Sequence, residues 1–144
     1  MQFNEKTGGL LAVHKEHHFD KTIGKFGIPR GDYERNSIKV LYNYDKSIIL
    51  GSEKMSIGEK TPEGLLDGKL FDIKGIEGTG KRNIISKISD ASSQGVETVV
   101  LYYHDASMFN LQKINNAYYG YLNLAKTKRA QNIYYIVDDK LYRI

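Results

Sequence analysis

The stretch Pro62-Glu63-Gly64-Leu65-Leu66-Asp67-Gly68-Lys69-Leu70-Phe71-Asp72-Ile73-Lys74 constrains the fold more than any other. Asp-Gly between two apolar runs is a strong signal for a two-residue hairpin, because both turn residues tolerate positive φ. A turn at Asp67-Gly68 fixes the antiparallel register: Leu66 opposite Lys69, Leu65 opposite Leu70, and Glu63 opposite Asp72. Alternation then places Lys74 on the face of Asp72, with Phe71 and Ile73 on the other face. Directly opposed side chains lie roughly 5 Å apart at Cβ, where like charges destabilise a sheet. A divalent cation between Glu63 and Asp72 would reverse the sign of that term. The pattern points to a metal and lysine site. The alternative is a solvated strand face on which Lys74 neutralises both acids.

The rest of the chain arranges itself around this hairpin. Residues 1–31 read as loop-rich, with Gly8-Gly9 before a short apolar run, Leu10 to Val13. Asp32 is a suitable N-cap for a helix from about Tyr33 to Asp45, with Ile38, Leu41 and Tyr42 on one face. Ser47 to Leu50 reads as a strand ending near Glu53, and Met55 to Thr61 as a loop. Gly75 to Gly80 is a glycine-rich turn. A helix from about Asn83 to Gln94 turns Ile84, Ile85, Ile88 and Ala91 inward, and Gly95 ends it. Thr98 to Tyr103 is β-rich and largely apolar, as a central strand is. Asn110 to about Lys128 forms a second long helix, with a stripe of Leu111, Ile114, Tyr118, Tyr121, Leu122 and Ala125. Ile133–Val137 and Leu141–Ile144 flank Asp138-Asp139-Lys140 as a further hairpin. The order α-β-β-β-α-β-α-β-β predicts one α/β (α+β) domain over residues 1–144, a mixed sheet flanked by helices, with its core over 32–144.

Composition narrows the chemistry. A chain of 144 residues can bury a real core. It has no cysteine, which excludes disulfides, zinc–thiolate sites and cysteine nucleophiles. No apolar run approaches a membrane span. The start, Met1 to Lys6, lacks the basic and apolar regions of a signal peptide, so the chain as written reads as soluble and cytosolic. A net charge of +4 permits a nucleic-acid partner without requiring one. The 11 tyrosines suit base-stacking or interface surfaces, or simply amphipathic elements.

Mg²⁺ is the ion expected at such a site, with Mn²⁺ and Zn²⁺ as alternatives, since hard cations take carboxylate oxygens and retained waters. Glu63 and Asp72 would supply them, with Glu53 as a further ligand or base. Such an ion acidifies a water and neutralises a phosphodiester. Lys74 would stabilise developing phosphate charge. Gln94, at the edge of the apolar face of its helix, is within reach as an accessory group.

His14, His17 and His18 offer a rival general base; His14 and His17 share a face only in a helix. With Lys74, either would suit a metal-independent ribonuclease. Exposed or partner-satisfied loop histidines are the plainer alternative. His104 is a weaker candidate. Gly75-Ile76-Glu77-Gly78-Thr79-Gly80-Lys81-Arg82 lacks the Gly-Lys-Ser/Thr ending of a Walker A loop, which argues against NTP binding. Lys81 and Arg82 at a helix N-terminus can still meet a nucleic-acid phosphate, with Lys69 and Lys87 extending the patch. Lys126, Lys128 and Arg129 complement a helix C-terminus. A non-enzymatic nucleic-acid-binding or assembly module is the third reading.

Pro62-Glu63, an eight-residue gap, then Asp72-Ile73-Lys74 resembles the PD-(D/E)XK nuclease signature, with glutamate in place of the usual aspartate. "PEGLLDGKLFDIKG" with "ASSQG" and "VVLYY" resembles the C-terminal nuclease domains of bacterial polymorphic and contact-dependent growth-inhibition toxins, and of related phage or mobile-element proteins. The likeness spans roughly Glu53 to Tyr103. It implies a restriction-endonuclease-like core that cuts DNA or tRNA and is neutralised by a cognate immunity protein. It implies Glu63, Asp72 and Lys74 as metal ligands and catalytic lysine, with Gln94 accessory. It also implies a cytoplasmic site of action after delivery within a larger secreted or phage-borne protein.

Overall fold

Every backbone segment that reads as β-rich in the sequence is a strand of one sheet. The structure is a computed structural model that describes residues 2–15, 17–51, 63–124 and 130–144. In chain order the elements are β1 (Gln2–Phe3), β2 (Leu10–Val13), α1 (Gly31–Asn43), β3 (Ser47–Leu50), β4 (Gly64–Leu66) and β5 (Lys69–Ile76). There follow α2 (Lys81–Ser93), β6 (Thr98–Tyr103), α3 (Leu111–Leu124), β7 (Asn132–Val137) and β8 (Lys140–Arg143). The sheet runs β1 to β8 in sequence order. β2 and β3 are parallel, as are β5, β6 and β7; the other neighbours are antiparallel.

The expected mixed sheet with flanking helices is therefore present, in the expected order from α1 onward. Asp67 and Gly68 take φ of 49° and 83°, and Leu66 pairs with Lys69 and Leu65 with Leu70. Asp138 and Asp139 make the same kind of turn, with φ of 51° and 58°. Each crossover helix covers one face. α1 lays Tyr33, Ile38 and Leu41 on Ile48, Leu50, Phe71, Ile73, Val100 and Ile136. α2 and α3 lay Ile84, Ile88, Ala91, Ile114 and Tyr121 on Ile76, Val99, Leu101, Ile133 and Tyr135. All residues of β6 are buried, because helices cover it from both sides.

Several local expectations are corrected. The N-terminal segment is not all loop: Leu10–Val13 pairs in parallel with Ser47–Leu50 and extends the sheet. The apolar run was too short to separate strand from loop by pattern. α1 begins at Gly31 with Arg30 at the cap and no side-chain capping bond, so Asp32 lies inside the first turn, where an acid favours the helix dipole. Gly75 and Ile76 belong to β5, which shortens the glycine turn to residues 77–80. Leu111 is 48% exposed and outside the α3 stripe. The loop expected at Met55–Thr61, and Ala125, Lys126, Lys128 and Arg129, lie outside the described residues. Among the described residues no helix is long and apolar enough to cross a membrane.

Candidate metal centre

The head of β4 departs from simple pairing. Gly64 stands opposite Phe71, yet the Glu63 N–H also donates to the Phe71 carbonyl at 3.0 Å. Two residues thus face one, which is a β-bulge, and a bulge re-aims the extra side chain. Strict alternation would have set Glu63 squarely against Asp72. Instead the Glu63 carboxylate gathers with His17 and with Glu34 of α1, one ligand atom from each lying within 4.8 Å of the others.

Three segments far apart in sequence build this group. β2 continues past its end through the His14 N–H to the Leu50 carbonyl. A turn then closes by the His17 N–H to the His14 carbonyl at 2.9 Å. This segment is not helical, so the helical spacing that would have joined His14 to His17 does not apply; His14 is exposed, whereas the His17 side chain is 0% exposed. His17 Nδ1 lies 2.7 Å from the Gly51 carbonyl, and the same Gly51 donates its N–H to the Glu63 carbonyl. A carbonyl only accepts, so Nδ1 carries the hydrogen and Nε2 is directed to Glu63 Oε2, 3.4 Å away. Phe19 packs edge-on against the imidazole at 4.8 Å, which fixes the ring plane. The group can hold a metal ion: a buried imidazole oriented by a backbone carbonyl, with two carboxylates, is a coherent donor set.

Asp72 is outside this trio and 6% exposed. Its Oδ2 pairs with Lys74 Nζ at 2.9 Å and its Oδ1 accepts the Ile73 N–H at 2.9 Å. Phe71 and Ile73 point into the core beneath α1, so Asp72 and Lys74 alternate away from them, as the sequence predicts. β4 pairs with β5 only as far as Phe71. Asp72 and Lys74 stand in register with Val99 and Leu101, which belong to the core beneath α2 and α3, whereas α1 brings Glu34 to Glu63 from the other face. The face that carries Asp72 is buried and not solvated, but Lys74 does neutralise Asp72, as the solvated-face alternative expects. Glu53 lies outside the described residues.

Gln94 caps α2, and its Oε1 is buried with no hydrogen-bond partner among the described residues. The following loop bonds the Leu70 carbonyl through Glu97 N–H, which brings it to the strand segment just before Asp72. The basic residues do not make one patch. Lys69 opens β5 and Arg82 lies in the first turn of α2 beyond the far end of that strand, which is about 23 Å long. Both are exposed, Lys87 is half-buried on α2, and the Lys81 side chain is outside the described set. His104 packs on Phe26 and Tyr33, away from the trio.

Glu77, just past β5, fastens the N-terminal loop to α1. It accepts bonds from the Lys25 N–H at 2.8 Å, Arg30 Nε at 3.0 Å and the Tyr33 hydroxyl at 3.0 Å. Burial opposes its ionisation, but those bonds and the Arg30 charge outweigh it and hold the carboxyl below the usual glutamate range. Burial, reinforced by Glu77, pushes Tyr33 up to about 12. This latch returns the loop that carries His17 to the first turn of α1, which carries Glu34.

Glu34 was missed in the sequence. Its only signal was an acid in the first turn of a helix, which a dipole argument fully accounts for. Comparison with family models, with curated proteins and with solved structures gives no match to this chain.

Proposed function

We propose that the chain is a metal-dependent nuclease domain that hydrolyses phosphodiester bonds of DNA or tRNA. The observation that carries this reading is a His/Glu/Glu group able to hold an ion at the head of β4, with a buried acid–lysine pair on the neighbouring strand β5. His17, Glu34 and Glu63 would hold the ion. A divalent ion there supplies an acidified water and offsets phosphate charge. Lys74, held in place by Asp72 at 2.9 Å, offers an ammonium to charge developing on the phosphoryl oxygens. Gln94 offers a buried amide oxygen that can position water or substrate. Exposed Lys69 and Arg82 offer backbone contacts at two separate points along the nucleic acid. The likeness to polymorphic-toxin nuclease domains supports an effector setting with a cognate immunity protein.

A second reading draws on the same contact. The Glu63 carboxylate, oriented by His17 Nε2, would be the general base, and with Lys74 it would serve a metal-independent ribonuclease. Incubation with total tRNA and with plasmid DNA, with and without added Mg²⁺, Mn²⁺ or Zn²⁺, decides between them. Cleavage that vanishes with chelator and returns with an ion is the result expected here. Cleavage that survives complete chelation and leaves a 2′,3′-cyclic phosphate would favour the second reading. Binding without turnover under every condition would overturn both.

A further inference from the structure

We infer that the His17–Glu34–Glu63 group is a site for a zinc-class ion, which it takes in preference to magnesium. The inference rests on the reading that this group holds a divalent ion, and it is independent of the nucleic acid cut.

Four features carry it. The first is the donor set. Imidazole nitrogen suits Zn²⁺ and its first-row neighbours, whereas Mg²⁺ favours oxygen ligands. The second is the tautomer. Because Gly51 O at 2.7 Å takes the Nδ1 hydrogen, neutral His17 presents its lone pair at Nε2, toward the acids. Metal-binding histidines are fixed in the same way, by a hydrogen bond from the distal ring nitrogen.

The third is spacing. Two ligands about 2.05 Å from a tetrahedral ion stand roughly 3.3 Å apart, while adjacent ligands around octahedral Mg²⁺ stand roughly 2.9 Å apart. His17 Nε2 and Glu63 Oε2 are 3.4 Å apart. The fourth is burial. The two side chains are 0% and 6% exposed, which leaves little room for the several waters that Mg²⁺ retains. Three protein ligands leave one tetrahedral position open, as catalytic rather than structural zinc sites do.

The ligands come from the loop after β2, from α1 and from the head of β4. A bound ion would therefore tie the N-terminal segment to the core, and binding would raise thermal stability.

The test uses the whole chain, stripped with chelator and dialysed against equal concentrations of Mg²⁺ and Zn²⁺, with bound metal measured by mass spectrometry. A single zinc per chain, unchanged by a hundredfold excess of Mg²⁺, is expected, with a higher melting temperature. Glu34→Gln and Glu63→Gln should each weaken zinc binding at least tenfold. Glu34 is the milder site to alter, since it is only half-buried on a helix, and circular dichroism checks that each variant folds. With Co²⁺ as probe, a visible ligand-field spectrum should appear and should be lost in His17→Gln. Magnesium bound as well as zinc would overturn the preference and leave the divalent-ion reading standing. A folded chain that takes up no ion would overturn both. Zinc bound equally by all three variants would place the ion elsewhere and overturn the assignment.

Discussion

Replacing Lys74 with methionine keeps all but the last atom of the side chain's length and deletes its charge. In the folded protein this leaves the Asp72 carboxylate buried, with the Ile73 N–H still bound to Oδ1 but the ammonium gone from Oδ2. Breaking a buried ion pair on one side costs about 3–5 kcal/mol, because the remaining charge loses its counter-ion in a site removed from water. The two side chains are 12% and 8% exposed, so some screening persists and the low end applies, about 3 kcal/mol. With a urea m-value of about 2 kcal/mol per M, the unfolding midpoint should fall by about 1.5 M. Asp72→Asn with Lys74→Met removes both charges and should recover most of that loss. The assay is urea unfolding by circular dichroism of the parent, both single variants and the double variant, with chelator present to remove any effect of an ion. Lys74→Met should also abolish cleavage in native buffer, where it remains folded. If its midpoint equals that of the parent, or if the single costs simply add in the double variant, the buried-pair argument fails.

Other consequences are sharper in kind than in size. The Glu77 carboxyl titrates below its unfolded value, so its contribution is complete above the ordinary glutamate range near 4.5 and is lost as pH falls through the folded value. Melting temperatures from pH 7 to pH 3 should therefore decline less steeply for Glu77→Gln than for the parent; parallel curves would refute the latch. Gly68→Ala meets open space but a φ of 83°, so it should cost about 1 kcal/mol of backbone strain in thermal melts, with the hairpin register unchanged. His14→Ala should leave cleavage intact, because that residue is exposed, while His17→Gln should remove it. Equal loss in both would move the chemistry away from the trio.

The fold was legible where local rules agree. The Asp67-Gly68 turn, the Thr98–Tyr103 core strand and the α2 stripe each follow from a period or a turn type that a short window contains. Leu10–Val13 could not be read as a strand with certainty of pairing, since its partner Ser47–Leu50 is set by the α1 crossover and not by adjacent sequence. At the site, Asp72 and Lys74 followed from alternation and meet at 2.9 Å. The Glu63 position did not, because one bulge at Gly64 breaks the alternation that a hairpin pattern assumes. His17 was visible as a candidate on chemistry alone, and its neighbours were not. Its meeting with Glu34 and Glu63 is a product of tertiary packing over intervals of 17 and 29 residues in the chain.

Anomalous diffraction from crystals grown with Zn²⁺, recorded on both sides of the zinc absorption edge, tests the central assignment most directly. A single peak within about 2 Å of His17 Nε2 and of a carboxylate oxygen from each of Glu34 and Glu63 is the expected result. A peak bound by Asp72 without His17, or crystals with no peak at all, would contradict it.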